Sequence, residues 1–214
     1  MRERHCRLMG CLIVLIPLVL FCGCRGGDDQ GVLFQDDFEN ARSGWGADEQ
    51  EEYDRGYRNG VYFIELHEPN WFAWAHPGKK YDDVSIEVDA RVRSGGQDGH
   101  YGLLCRRVDD DNFYYFSISA DGYYAIFHVD DGDAEVLTAD GRGMVAAPGL
   151  KTGRQPNRVL AVCKGDELSL YANGELLATV YDDTLIQGDV GLGAGSGAEG
   201  RIDVRFDDLV VTEP

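Results

Sequence analysis

Trp71 and Trp74 lie three residues apart in the segment NWFAWAHPG, between Pro69 and Pro77. Aromatic rings of this kind can stack against the flat C–H faces of sugars, while sugar hydroxyls bond to Asp, Asn, Arg or Glu. Further rings stand at Trp45, Tyr53, Tyr57, Tyr101, Tyr114, Tyr115, Tyr123 and Tyr124. Aromatic residues also favour strands and fill β-sandwich cores, so each ring has a competing structural explanation. The Trp71–Trp74 segment escapes it best, because two prolines punctuate it too closely for a central strand. Trp71, Trp74, Tyr114 and Arg106 are therefore the candidate ligand-binding residues.

Chemistry that breaks bonds is harder to find. His67, His76, His100 and His128 are scattered, with no metal-type spacing and no nucleophile motif beside them. Gly195 to Gly200 spells G-x-G-x-x-G, but RIDVRF follows, a strand rather than the helix a pyrophosphate site needs. Asp109-Asp110-Asp111-Asn112 lacks the glycine and distal glutamate of an EF-hand loop and reads as a turn. No catalytic residue is assigned.

The 214 residues carry a net charge of minus 18, and no run of Lys or Arg exceeds the pair Lys79-Lys80. Long-range repulsion from phosphates excludes nucleic acid as a partner. With 28 glycines but only 6 prolines, the chain is neither collagen-like nor a low-complexity stalk.

MRERHCR leads into LMGCLIVLIPLVLFC, about 15 apolar residues, short of the roughly 20 that a bilayer-spanning helix requires. That is a signal-peptide pattern. LFCGC then resembles the lipobox of bacterial lipoproteins, with Phe21 where Leu is usual. The resemblance implies a signal peptide over 1–23, a lipidated Cys24 and tether over 24–31, and one domain over 32–212. It also implies an extracytoplasmic chain anchored to a membrane, on the cell surface or the periplasmic face. Cleavage takes three basic residues and one acidic residue from totals of 20 and 38, leaving a net charge of minus 20. Besides Cys24 it leaves Cys105 and Cys163, which are either a disulfide in an oxidising compartment or two separate buried thiols.

From Val32 to Thr212 the apolar residues recur with a period of two. In DVSIEVDARVR, Val84, Ile86, Val88, Ala90 and Val92 alternate with polar residues, giving a strand with one buried and one wet face. Glu87 and Asp89 then lie on the solvent face near Arg91 and Arg93. About a dozen such runs follow one another, separated by Asn59-Gly60, Asp121-Gly122, Asp131-Gly132 and Asn173-Gly174, which suit the positive φ angles of hairpin turns. The expected fold is all-β, a two-sheet antiparallel jelly-roll sandwich.

DDFENARSGW, WFAWAHPG, HYGLLCRRVDDDNFYYFSISADGYY, NRVLAVCKGDELSLYANGELLATV and the closing VRFDDLVV together resemble the concanavalin A-like lectin/glucanase superfamily. The nearer likeness is to its laminin G-like and 3-keto-disaccharide-hydrolase-type branches, over residues 32–212. The resemblance implies a disulfide between Cys105 and Cys163. It further implies a structural calcium ion held by Asp207 and the Gly60 carbonyl, with Asp36 or Asp37 supplying another ligand. Laminarinase-type members carry E-x-D-x-x-E on one strand face; here Glu87 and Asp89 are followed by Val92, so the second glutamate of a retaining pair is missing. The expected function is a surface-anchored, non-catalytic domain that binds carbohydrate. The alternatives are a glycoside-directed hydrolase or lyase of the 3-keto-disaccharide type, and a structural or protein-interaction module.

Overall fold

The computed structural model describes residues 31–214. The expected signal peptide over 1–23 and the expected lipidation site and tether over 24–31 lie outside the described residues, apart from Gly31.

Seventeen strands follow in chain order: β1 (Val32–Asp36), β2 (Asp48–Glu49), β3 (Tyr53–Arg58), β4 (Val61–Leu66), β5 (Phe72–Ala75), β6 (Lys80–Tyr81), β7 (Val84–Gly95), β8 (His100–Arg107) and β9 (Phe113–Ser119) form the first half. The second half comprises β10 (Tyr123–Asp130), β11 (Asp133–Val136), β12 (Val145–Ala146), β13 (Asn157–Lys164), β14 (Glu167–Ala172), β15 (Glu175–Tyr181), β16 (Gly188–Gly195) and β17 (Ile202–Thr212). They form two sheets. The first runs β15-β14-β13-β7-β17-β4-β3-β2, with β1 also on β17; the second runs β11-β10-β9-β8-β16-β5, with β12 on β10 and β6 on β16. All pairings are antiparallel.

Hairpin chemistry accounts for the tight connections. At Asn59-Gly60, Asp131-Gly132 and Asn173-Gly174 both residues have positive φ, as a primed turn demands. Asp121-Gly122 differs: only Gly122 has positive φ, in a wider turn where Gly122 N–H donates to Ser119 O.

Period-two alternation sends one face of each sheet inward. Ile86 and Val88 of β7, Leu103 of β8, Phe116 of β9, Leu170 of β14 and Val204 of β17 meet between the layers, all fully buried. Cys105 and Cys163 join there in a disulfide, linking β8 of one sheet to β13 of the other across 58 residues of sequence. Loop-closure entropy assigns such a link about 4 kcal/mol. Beside it Arg106, 1% exposed, donates to the carbonyls of Asp82, Gly165 and Leu185 and to Asp83 Oδ1. Its guanidinium ties three loops together at one end of the sandwich.

Candidate functional site

The outer face of the second sheet holds a second apolar cluster, separate from the interlayer core. Leu104, Phe113, Tyr115 and Val129 form it, with Phe72, Trp74 and Phe127 packed against them. The pleat explains its membership. On β8, Tyr101, Leu103 and Cys105 belong to the interlayer core, so His100 and Leu104 point outward. On β5, Ala73 and Ala75 go inward and Phe72 and Trp74 outward. Across the sheet, Trp74 pairs with Gly193, Gly193 with Gly102, and Leu104 with Tyr115, which pairs with Phe127.

Glycines make room for these rings. A Cβ on Gly193 would come within 2.9 Å of Phe72 Cζ, Tyr115 Cε2 and Leu104 Cδ1. One on Gly195 would enter the His100 ring. The alternation Gly191, Gly193, Gly195 along β16 is thus a floor over which side chains from β5, β8 and β9 lie flat.

The result is a cleft of about 370 Å³ lined by Phe72, Trp74, His100, Phe113, Tyr115, Phe127 and Val129, with Asp110, Asp111, Gly132 and Ala134 completing it. The rings are mutually fixed: Phe72 stands edge-on to Tyr115 at 4.9 Å and stacked on Trp74 at 5.8 Å. Tyr115 hydroxyl and His100 Nδ1 share a 3.1 Å hydrogen bond. Burial drives the His100 pKa down to about 4, against the pull of Asp98, so its imidazole is neutral at pH 7. Burial likewise raises the Tyr115 phenol and keeps it protonated. The cleft is an uncharged aromatic bed with acids confined to Asp110 and Asp111; Asp110 is paired with Arg107.

A second cavity, about 410 Å³, adjoins the first and shares Phe72, Trp74 and Asp110 with it. Tyr53, Arg55, Trp71, Ala73 and His76 complete its lining. Arg55 is already engaged: its Nη1 donates to the Trp74 carbonyl and its Nη2 lies 3.9 Å from Asp48. Ser196 Oγ accepts from Trp71 N–H at 3.0 Å and donates to Glu68 O at 2.6 Å, fixing the entry to β5.

Of the four candidate ligand residues, the structure brings two together here. Trp71, 40% exposed, and the half-buried Trp74 line the same cavity. Tyr114 and Arg106 are elsewhere, which corrects their assignment. Tyr114 follows Phe113 on β9 and so points inward; it is fully buried, and its hydroxyl donates to Asp182 and accepts from Leu185 N–H at 3.1 Å. Burial, with Asp182 adding to it, pushes that hydroxyl up to about 12. Arg106 has its exposed area reduced to 1% by the three loops it ties.

Sequence reasoning left Tyr115 among the general rings and His76 and His100 among scattered histidines. His100 and Leu104, Phe72 and Trp74, and Phe113 and Tyr115 occupy the positions opposite in parity to the core residues of the same strands, a phase that sequence alone does not assign because both phases of β8 and β9 are apolar. Glu87 and Asp89 lie on the outward phase of β7 in the other sheet, the same phase as Arg91 and Arg93, and Arg158 of β13 binds them at 3.1 and 3.5 Å. They do not reach the cleft.

The three groups expected around calcium are distributed unevenly. Phe206 pairs with Tyr62, which carries Asp207 to Val61 and the β3–β4 turn holding Gly60; Asp207 and Val61 line one small cavity. Burial raises the Asp207 carboxyl, and the nearby charges of Asp208, Asp89 and Asp37 add to the rise. A cation beside Asp207 and the Gly60 carbonyl would relieve that crowding. Asp36 does not fit such a role: its Oδ1 accepts from Phe38 N–H at 2.8 Å and its Oδ2 from Trp45 Nε1–H at 2.9 Å. Among the described residues, no group of three His, Cys, Asp or Glu side chains could hold a metal ion.

Neither a family model nor a curated protein matches this chain. Solved structures do. A carbohydrate-binding module, CBM66, from Bacillus subtilis is similar over 80% of this chain and 93% of its own, with 17% identity and a TM-score of 0.55. The catalytic domain of an endo-1,3-β-glucanase (laminarinase) from Thermotoga petrophila is similar over 85% and 97%, with 11% identity and a TM-score of 0.59. A Bacillus subtilis protein of unknown function with a galectin-like fold is similar over 85% and 96%, at 12% identity and a TM-score of 0.62. The chain is a two-sheet antiparallel jelly-roll sandwich, the fold of these structures. At these identities the likeness establishes the fold alone.

Proposed function

We propose that the chain is a carbohydrate-binding domain whose ligand lies in the aromatic cleft on the outer face of the second sheet. The observation carrying this reading is a ring-lined cavity on a face that packs against no other layer. Apolar side chains are not needed there for the core, and a neutral bed of flat rings suits the C–H faces of sugars. That folds of this kind include a carbohydrate-binding module and glucanases supports the same ligand class.

Binding without turnover is the favoured form. A retaining or inverting hydrolase needs two carboxyl groups on either side of the scissile bond. The first cleft's carboxylates, Asp110 and Asp111, are neighbours on one turn, and Asp110 is already held by Arg107. We further place the domain outside the cytosol, tethered through a lipidated Cys24, and assign a calcium ion to Asp207 and the Gly60 carbonyl; Cys24 rests on the LFCGC motif. Titrating the chain with neutral oligosaccharides while following tryptophan fluorescence tests the main reading. A saturable change without sugar release is expected. Release of sugar would replace it with a hydrolase, and neither response would leave a structural or protein-interaction module.

A further inference from the structure

We propose that His76 is the hydrogen-bond acceptor of a second sugar subsite, so that the ligand is a neutral oligosaccharide passing over Trp74 rather than one terminal sugar. This rests on the carbohydrate reading above.

The alternation of β5 continues past its end. Phe72 and Trp74 face outward, and His76, two residues on, lines the second cavity beside Trp71. Along β16 the same outward phase runs Asp189, Gly191, Gly193, Gly195. Asp189 is therefore a carboxylate at one end of the glycine floor, only 3% exposed. Its Oδ1 accepts from Lys79 N–H at 2.7 Å and Val190 N–H at 2.9 Å. Its Oδ2 lies 2.7 Å from His76 Nδ1.

That geometry sets the tautomer. A buried carboxylate oxygen can only accept, so in the neutral imidazole the His76 proton sits on Nδ1 and the lone pair is on Nε2. Among the described residues, no protein group bonds Nε2. The imidazole is half-exposed, at 36%. A buried carboxylate thus orients a ring whose free acceptor belongs to a cavity walled by two indoles. A sugar hydroxyl can donate to Nε2 while its ring stacks on Trp71 or Trp74.

The two cavities share Phe72, Trp74 and Asp110, so a chain of sugars can occupy both. Acidic glycans fit poorly. Asp110 stands in both cavities, and the whole chain carries minus 18.

Asp189 is a positioning residue, and Asp189→Asn gives a specific signature. The two backbone N–H groups hold the Asn oxygen on their side, turning its NH₂ toward His76 Nδ1. The imidazole proton must then move to Nε2, converting the acceptor into a donor.

The experiment measures the binding of the full chain to glucose, laminaribiose and laminaritriose, and to xylose, xylobiose and xylotriose. Mono-O-methylated trisaccharides form a second panel, and ¹⁵N–¹H spectra locate the His76 proton. In the unaltered protein the trisaccharide should bind at least about tenfold more tightly than the monosaccharide, as one added hydrogen bond with stacking permits. His76→Ala should abolish that increment, and it should also lower the melting temperature, because the buried Asp189 Oδ2 loses its partner. His76→Gln, which keeps an acceptor, should restore part of it. Methylation of one hydroxyl should remove the increment in the unaltered protein and be tolerated by Asp189→Asn. Equal binding of mono- and trisaccharide, full trisaccharide affinity in His76→Ala, or a proton on Nε2 in the unaltered protein would each overturn the subsite while leaving the carbohydrate reading intact. No binding of any sugar would remove both.

Discussion

Both sheets turn one face outward, and the two faces are built in opposite ways. The first sheet's outer face is laced with charge: Arg158 bridges Glu87 and Asp89, Asp203 takes Arg93 at 3.3 Å and Arg205 at 2.6 Å, and Arg58 and Arg205 lie over the Phe63 ring. Arg58, Arg93, Glu87 and Asp89 meet water, while Asp203 and Arg205 are buried beneath them as an ion pair. The second sheet's outer face has rings over glycines, a neutral histidine and a phenol. Folding alone gives no reason to arrange apolar rings on a face with no layer above it. The difference teaches that the functional face of a sandwich is found by asking which outer face breaks the apolar-in, polar-out rule.

The largest expected effect comes from Trp74, which stands between the two cavities. Trp74→Ala should reduce oligosaccharide affinity by about a hundredfold, the scale of a hot-spot aromatic. The melting temperature should fall by only a few degrees, because the ring is half-exposed. Arg158→Ala, on the charged face, should leave binding unchanged.

Next is the link that holds both faces in place. Replacing Cys105 and Cys163 by Ala should lower stability by about 2 to 5 kcal/mol in denaturant titrations. If the oxidised protein instead shows two alkylatable thiols, the sheets are held together by the core alone.

The neutral His100 separates the faces by pH. An unfolded histidine binds a proton near pH 6.5, whereas His100 in its cleft resists until about 4. Between those values the unfolded chain holds more protons, so stability should fall as pH drops from 6.5 to 4. The loss is on the order of 3 kcal/mol in full. His100→Gln should flatten that limb of the stability profile.

The last effect belongs to the charged face. Calcium at a hundredfold excess over its dissociation constant would add about 2.7 kcal/mol, raising the melting temperature by several degrees, with chelator reversing it. Asp207→Asn should abolish the response and, by removing a crowded carboxylate, slightly raise the metal-free melting temperature. Identical melts with calcium and chelator would leave Asp207 as a strand-end acid.

The sandwich itself was legible because Val84, Ile86, Val88, Ala90 and Val92 alternate without a break, and three Asx-Gly turns sit where hairpins must close. The Trp71–Trp74 segment was legible through its prolines. The rest of the site was hidden by the same periodicity. In HYGLLCRR and NFYYFSIS both phases of the strand are apolar, so sequence does not say which phase faces the other sheet. Register decided it, sending Tyr114 inward and Tyr115 outward. Asp189 and His76 lie 113 residues apart, a pairing that only strand order could create. Arg106 stood among the ligand candidates because the three loops it binds are distant from it in sequence.

The most direct test of the central claim compares the two faces in one measurement. The full chain, its Trp74→Ala variant and its Arg158→Ala variant are each applied to an array of neutral and acidic glycans. The account predicts retention of neutral glycans by the unaltered protein and by Arg158→Ala, with loss in Trp74→Ala. Retention by Trp74→Ala together with loss in Arg158→Ala would contradict it, placing the ligand on the charged face.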